Sequence, residues 1–446
     1  MLAFAGLVAL AVHIVALASG CDAAAASYAP EQVHLGMAGP TDVDYAVTFA
    51  TRNVSSSFHP IVKYGLSPGN MLFTVDARTR SEECRGPGPF SHSATLAHLA
   101  LGTTYFYSVG SEAYGFSEAF SFTTHSGPAA PLRVVMFGDL GISYSNDSIA
   151  RMADMAQRGA MDLIVFAGDI GYGDDRPDPE YQGVMNAFWN EVQPIFAHVP
   201  VLYAVGNHDT TCDRAAYHAR VVQPHRSILD GGLGDFYTFD FAGIRFIALD
   251  TEHDEDSRIG PETEQYRWLE RTLETPTATA MTIVFMHRPM YCSFELDQCL
   301  WHSTSMDPRE WANPYRANLE PLLNKHGVKL FLNGHTHNYE RTHAVLDNVP
   351  TAHATRYITV GSPGNIEPTD TVFTPEVPSW AAFRQSMWDP LHFAPFTYAG
   401  FAVFTVHDGV LTWRYIKSDD GTVLDTFAMT LDGGDADASA AALQTK

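Results

Sequence analysis

Apolar and polar positions follow two different rhythms along this chain. From about 28 to 124 the apolar residues sit in short runs with a period near two, as in Asp44-Tyr45-Ala46-Val47-Thr48-Phe49, Ile61-Val62-Lys63-Tyr64, Ser93-Ala94-Thr95-Leu96 and Thr104-Tyr105-Phe106-Tyr107-Ser108-Val109. That period sends successive side chains to opposite faces of a strand, and turn residues separate the runs at the spacing of a β-sandwich. Ser126-Gly127-Pro128-Ala129-Ala130-Pro131 then reads as a linker. From 132 the rhythm changes. Continuous apolar strands alternate with helical stretches at 148–159 (Ile149, Met152, Met155, Ala156), 261–274 (Tyr266, Leu269, Leu273) and 314–326 (Leu319, Leu322, Leu323, with Gly327 as a stop). Helices between strands predict an α/β domain over 132–430. Phe401–Val406 and Val410–Ile416 read as closing strands around His407-Asp408-Gly409, and 431–446, rich in Ala, Asp and Gly, as a disordered tail.

Five of the apolar strands run directly into polar residues with metal-binding side chains. They lead to Gly138-Asp139, Gly168-Asp169, Gly206-Asn207-His208-Asp209, Met286-His287 and Gly334-His335-Thr336-His337. A buried strand followed by such a group delivers it to the carboxyl edge of a sheet, where ligands of open α/β folds gather. One instance means little; five point to a single polar site built by the whole sheet. Asp139, Asp169, Tyr172, Asn207, His287, His335 and His337 supply oxygen and nitrogen donors and no sulfur, a set suited to iron, zinc or manganese. His335 and His337 are two apart, so on extended chain both imidazoles face one side. A carboxylate bridging two nearby ions would let them share such a set, and paired ions of this sort clamp a phosphate and activate water for in-line attack.

Composition sharpens the picture. The 446 residues allow two or three domains, and 46% hydrophobic with 17% charged residues is ordinary for a chain with a sizeable core. With 27 basic against 51 acidic residues the formal net charge is -24, which disfavours nucleic acid and anionic membrane as partners. An anionic substrate would then need local positive charge, which bound metal ions supply. Residues 1–21 read as a signal peptide, apolar and ending in small residues, although the segment lacks Lys and Arg. The rival readings are a membrane anchor and a lipoprotein-like site at Ser19-Gly20-Cys21, where Ala18 stands in place of Leu. Five cysteines are present, and an exported chain permits disulfides. Cys292 and Cys299 are expected to pair within one polar loop, while Cys84 and Cys212 are left without an assigned pairing. Asn53-Val54-Ser55 and Asn146-Asp147-Ser148 are glycosylation sequons, at Asn53 and Asn146. No spacing selects His92, His198, His218, His225 or His253, and Asp174-Asp175 and the acidic run from Glu252 to Asp256 read as solvated loops, with calcium binding as the rival reading.

The five motifs, taken in order, resemble those of the purple acid phosphatases. Gly334-His335-Thr336-His337-Asn338-Tyr339-Glu340-Arg341 extends the likeness. Residues 28–124, with Leu101-Gly102-Thr103-Thr104-Tyr105-Phe106-Tyr107, resemble a fibronectin III-like domain such as the one that precedes the catalytic domain in the long enzymes of that family. The resemblance implies an N-terminal all-β sandwich followed by a calcineurin-like α/β metallophosphoesterase domain. It is carried most specifically by Tyr172. The wider superfamily has a His two positions after the first Asp, where this chain has Gly141, and Tyr172 replaces that ligand. A phenol with a pKa near 10 ligates as phenolate at neutral or acid pH only to a strong Lewis acid such as ferric iron.

By the same resemblance Asp139, Tyr172 and His337 hold Fe(III), Asn207, His287 and His335 hold a divalent ion (Zn, Fe or Mn), and Asp169 bridges them. Two carboxylates and a phenolate against a trivalent and a divalent ion leave the centre positive, so phosphate is attracted despite the acidic protein. The implied reaction is hydrolysis of phosphate monoesters by attack of metal-bound hydroxide, with His208 as proton donor to the leaving group. Asn207, His208 and His302 are the expected substrate contacts. Plant enzymes place a His pair about ten residues past the fourth motif, where this chain has Asp297-Gln298-Cys299 and offers only His302. Asp209 stands where many members have Glu, a shorter carboxylate that bears on how His208 is oriented. The implied partners are small phosphate esters, with neither nucleic acid nor membrane anchor, a homodimer is allowed, and the location is secreted or a secretory or vacuolar lumen. Two rival functions remain at this point: a phosphodiesterase or nucleotide pyrophosphatase with the same centre, and a non-catalytic secreted binding protein.

Overall fold

A computed structural model describes residues 28–224, 235–253, 259–293, 314–367, 373–385 and 399–437. The expected signal peptide at 1–21 lies outside them. No helix among the described residues is long and apolar enough to cross a membrane.

Two β-sheets face each other to form the part of the molecule that follows residue 132, the expected catalytic half. In the first, Leu132–Phe137, Leu163–Phe166 and Val201–Tyr203 lie parallel, and Gly400–His407 runs antiparallel to Leu132–Phe137. In the second, Ile244–Ala248, Met281–Phe285, Leu330–Asn333 and Arg356–Val360 are successive parallel neighbours. The apolar runs are continuous because both faces of each strand are covered. Ile283 and Phe285 point into the core shared with Val134, Phe137 and Leu163, whereas Val284 and Met286 face helices through Leu269, Leu319 and Leu323. This period-two division of one strand between two cores follows from the pleat.

The expected helices form at Asn146–Gln157, Glu264–Glu274 and Pro314–Lys325. Two more, Asp178–Phe196 and Thr211–Arg220, were not expected. Pro177 and Pro179 at the start of the first and Pro194 inside it interrupt the sequence signal. Pro at the opening turn is compatible with a helix, since its missing N–H has no partner there.

The N-terminal strands build the expected sandwich, with Glu31–Met37, Tyr45–Thr51 and Pro87–Leu96 in one sheet and Ile61–Gly65 and Thr104–Ser111 in the other. What the linker conceals is continuity. Glu31–Met37 pairs in parallel with Val201–Tyr203 through Gly36 and Val201, so one eleven-stranded sheet runs from the C-terminal strands through the catalytic strands into the sandwich. The tail expectation is corrected in part: Asp435–Ala436 pairs with Val423–Thr430, using backbone groups of a strand that would otherwise be an edge. Residues 438–446 lie outside the described residues.

Candidate metal centre

The five strand ends converge at one edge, and the backbone there is held in unusual conformations. Asp139, Asp169, Tyr172 and His335 all have positive φ, at 64°, 60°, 56° and 72°. For residues with a Cβ this costs roughly 1–2 kcal/mol each and persists only where surroundings enforce it, which is typical of functional sites. The motif glycines permit the approach of the loops. A Cβ on Gly168 would lie 2.7 Å from both Gly206 N and His287 Nδ1, and one on Gly206 would collide with Asp169 Oδ1. Only backbone fits between these loops.

All seven candidate ligands come together. The Tyr172 hydroxyl lies 2.9 Å from His337 Nε2, 3.3 Å from Asp139 Oδ1 and 3.5 Å from Asp169 Oδ2. His337 Nε2 is 3.6 Å from Asp139 Oδ1. On the other side of Asp169, Oδ2 is 3.2 Å from His287 Nε2, which lies 3.0 Å from Asn207 Oδ1 and 3.1 Å from His335 Nδ1. Asp169 therefore stands between an Asp139–Tyr172–His337 group and an Asn207–His287–His335 group. His287 Nδ1 is 2.9 Å from the Ala167 carbonyl, which holds the proton on that nitrogen and turns Nε2 to the cluster. The Asp139 carboxylate accepts the His335 N–H at 2.8 Å, and Asn365 donates to the Asp139 carbonyl at 2.9 Å.

Electrostatics distinguish the members. Burial raises the Asp139 carboxyl above its ordinary range, against the pull of His337 and His287. Burial also opposes ionisation of Asp169, but His287 and His208 outweigh it and hold that carboxyl well below the usual range. His287 is pushed up to about 9, burial being outweighed by Asp169 and Asp139. His335 is driven well below 6.5 by burial and by Arg288, so its lone pair is free of a proton. Tyr172 is raised well above 10 by burial and by the charges of Asp139, Asp169 and Glu367. The donor set fits cations on these grounds. Ligand atoms of Asp169, His287 and His335 lie within 4.8 Å of one another, all donors are nitrogen or oxygen, and the phenol faces negative charge that a metal ion would neutralise.

His208 sits at the rim. Its ring packs on Tyr172 with centroids 4.5 Å apart, Nδ1 is 3.0 Å from both carboxylate oxygens of Asp174, and Nε2 is 3.8 Å from Glu367 and 4.0 Å from Asp169. Burial opposes its charge, but Asp169, Asp174 and Glu367 prevail and push it up to about 10. The Asp209 carboxylate is engaged by backbone. It accepts the backbone N–H groups of Asp169, Ile170 and Gly206 at 3.0, 3.1 and 2.8 Å, tying the second and third motif loops together.

Sequence reasoning missed several neighbours. Asp174 and Asp175, read as a solvated loop, face His208, with Asp175 at 3.7 Å. Their place five and six residues past Asp169 is the one signal that was available. Glu367 lies 3.7 Å from His337, and nothing in its own segment marks it. Arg288 donates to both carboxylate oxygens of Glu252, at 2.7 and 2.9 Å, and lies 2.9 Å from His335 Nε2, so Glu252 also belongs to the surroundings of the site. His302 and Cys299 lie outside the described residues, while Cys292 is disulfide-bonded. Cys84 and Cys212 form a disulfide between the sandwich and the catalytic half. Asn53 and Asn146 are both exposed.

Residues 30–124 match the purple acid phosphatase N-terminal domain, 132–339 the calcineurin-like phosphoesterase domain, and 354–426 the iron/zinc purple acid phosphatase-like protein C domain. The chain is 30% identical to acid phosphatase type 7 of Homo sapiens over 71% of its own length and 72% of that protein. It is likewise 30% identical to the Danio rerio acid phosphatase type 7, covering 80% and 83%. Purple acid phosphatase 22 of Arabidopsis thaliana is 27% identical, with 80% and 77% covered. Among solved structures, the purple acid phosphatase PPD1 from yellow lupin seeds superposes with a TM-score of 0.75 over 90% of this chain and 74% of that one, at 23% identity.

Proposed function

From the premise that this chain belongs to the purple acid phosphatase family, we propose that the cluster around Asp169 hydrolyses phosphate monoesters at a binuclear metal centre. The observation that carries this reading is the division of six donors into two groups on either side of Asp169. In the proposal Asp139, Tyr172 and His337 hold a ferric ion, Asn207, His287 and His335 hold zinc, ferrous iron or manganese, and Asp169 is shared. When bound, the ions supply Lewis-acid charge for the phosphoryl oxygens and lower the pKa of water. The remaining steps belong to side chains. Asp174 accepts from Nδ1 of His208, which leaves the Nε2 proton facing the cluster. That proton passes to the ester oxygen as it leaves, so the alkoxide departs as an alcohol. Asn207 and His208 orient the substrate at the rim.

Export is part of the proposal. The disulfides suit an oxidising compartment, and the apolar segment at 1–21 suits a secretory signal, with division into a sandwich at 28–124 and a catalytic unit at 132–430. A homodimer is compatible with the family and is read by light scattering.

The test is the purified protein itself. A broad visible band that bleaches with strong reductant, together with faster turnover of nitrophenyl phosphate than of bis-nitrophenyl phosphate, is the expected result. A faster diester rate would instead favour a phosphodiesterase, and metal-free, colourless protein with full activity would sink the centre altogether. Within that test, His208→Ala is expected to slow an alkyl phosphate by about 10²-fold or more, and nitrophenyl phosphate much less, because nitrophenolate leaves without a proton. Equal losses on both would remove His208 from the acid role.

A further inference from the structure

The segment that follows Asn207 and His208 is held in a conformation it would not choose. Within Thr211–Arg220, Cys212, Asp213 and Arg214 have φ of 53°, 53° and 63° with ψ of 46°, 39° and 22°. Three consecutive left-handed residues, none of them glycine, persist only if the surroundings impose them.

The restraints come from two sides. On the sandwich side, Cys212 is bonded to Cys84, Arg220 donates to Glu82 at 2.7 Å with both residues buried, and Arg80 donates to the His218 carbonyl. Gln182 joins this group by donating to both Glu82 and the Cys84 carbonyl, at 2.8 and 2.9 Å. On the other side, Arg214 donates to Asp235 at 2.8 Å and to Asp250 at 2.5 and 3.3 Å, and His218 is 2.9 Å from Asp235. Asp250 is buried at the end of Ile244–Ala248, in the second sheet, and is itself fixed by Glu252 N–H at 2.9 Å. A continuous line of hydrogen bonds leads from this clamp to the site. The Arg214 N–H donates to Thr210 O at 3.2 Å, and the Thr210 hydroxyl donates to Asn207 O at 2.8 Å.

We propose that the N-terminal sandwich is a positioning element for the reaction: the Cys84–Cys212 bond, opposed by the Arg214 clamp on Asp235 and Asp250, sets where His208 stands. Cys84, Cys212 and Arg214 are positioning residues that act through the 207–214 backbone. The sandwich is then part of the catalytic machinery of its own chain. This rests on the reading of His208 as acid to the leaving group.

The experiment compares a Cys84→Ser/Cys212→Ser double variant and Arg214→Lys with the metal-loaded wild type. Turnover is measured on an alkyl phosphate and on nitrophenyl phosphate, and backbone amide exchange is followed over 207–214. The expected result in both variants is a loss on the alkyl ester about tenfold greater than on the nitrophenyl ester, together with faster exchange at 207–214. Equal proportional losses on the two esters, or unchanged rates with unchanged exchange, would overturn the proposal. Should the cysteine variant not fold, Arg214→Lys, which keeps the charge but not the two-carboxylate fork, decides by the same ratio. A wild type that hydrolyses neither ester would sink the functional reading instead, so the two failures are distinguishable.

Discussion

Two regions of the molecule, the N-terminal sandwich and the metal edge where the strands of both catalytic sheets end, are built on opposite principles. At the sandwich end, rings fill the core: Tyr45 stacks on Phe122 with centroids 4.7 Å apart, Tyr107 packs 5.7 Å from Phe120, and the Tyr107 hydroxyl finds the Ala197 carbonyl at 2.7 Å. Its apolar area leaves water and the Tyr107 hydroxyl keeps a partner, so burial is a gain there. At the metal edge, Asp139, Asp169 and Asp209 are buried a few ångströms apart, and the chain turns left-handed to present the ligands. Burial there is a cost, which His287 and His208 offset at Asp169 and which bound cations would offset further. One region is stable because of what it buries, the other in spite of it.

That contrast breaks most visibly at Asp139. Asp139→Asn removes a proposed ligand and is expected to cost about 10³-fold in turnover, comparable to losing an essential electrostatic contact in other hydrolases, and to weaken the visible band. The same change removes a carboxyl whose ionisation is opposed by burial. In protein stripped by a chelator, the variant should therefore unfold at a denaturant concentration no lower than that of stripped wild type. A stripped variant clearly less stable than stripped wild type would mean that the edge is not strained by its own charge.

The sandwich end yields the next largest effect, through the buried Glu82–Arg220 ion pair between it and the catalytic half. Glu82→Ala leaves the Arg220 guanidinium buried with only amide oxygens, Gln182 at 3.3 Å and Asn186 at 3.1 Å. Stranding a buried charge in this way costs about 3–5 kcal/mol, read as a lower urea midpoint. A shift of under about 1 kcal/mol would place the pair in the class of weak surface bridges. Glu82→Gln should lie between the two, because it keeps an acceptor for Arg220.

The same contrast decides what was legible in the sequence. The candidate ligands that come together could be picked out because metal chemistry restricts residue type and the loops need glycine beside them, so Gly168-Asp169 and Gly334-His335 stand out as letters. The core strands could be read because the pleat writes its period directly into the chain. Asp174, Glu367 and Arg288 could not, since each acquires its role by reaching a residue distant in sequence, and their types are those of any solvated loop. The pairing of Gly36 with Val201 and the Cys84–Cys212 bond are likewise contacts across the linker, with no local pattern to announce them. Asp178–Phe196 escaped for another reason: its prolines are tolerated by position in the helix, which composition does not reveal.

The smallest predicted effect concerns acid, and it belongs to the sandwich. His92 is fully buried between the hydroxyls of Thr51 and Thr79, both 2.9 Å from its ring nitrogens, and burial lowers it to about 4. Its folded pKa lies below the unfolded value of 6.5, so between pH 4 and 6.5 the unfolded chain binds the extra proton. The stability contributed by keeping His92 neutral is complete above pH 6.5 and is lost as pH falls through that window, by about 2 kcal/mol at pH 5. Urea unfolding of wild type and His92→Gln at pH 7 and pH 5 isolates it. The variant starts less stable at pH 7, and the gap should shrink by about 2 kcal/mol at pH 5, because glutamine has no proton to take up. A gap that stays constant would mean that His92 is not held neutral.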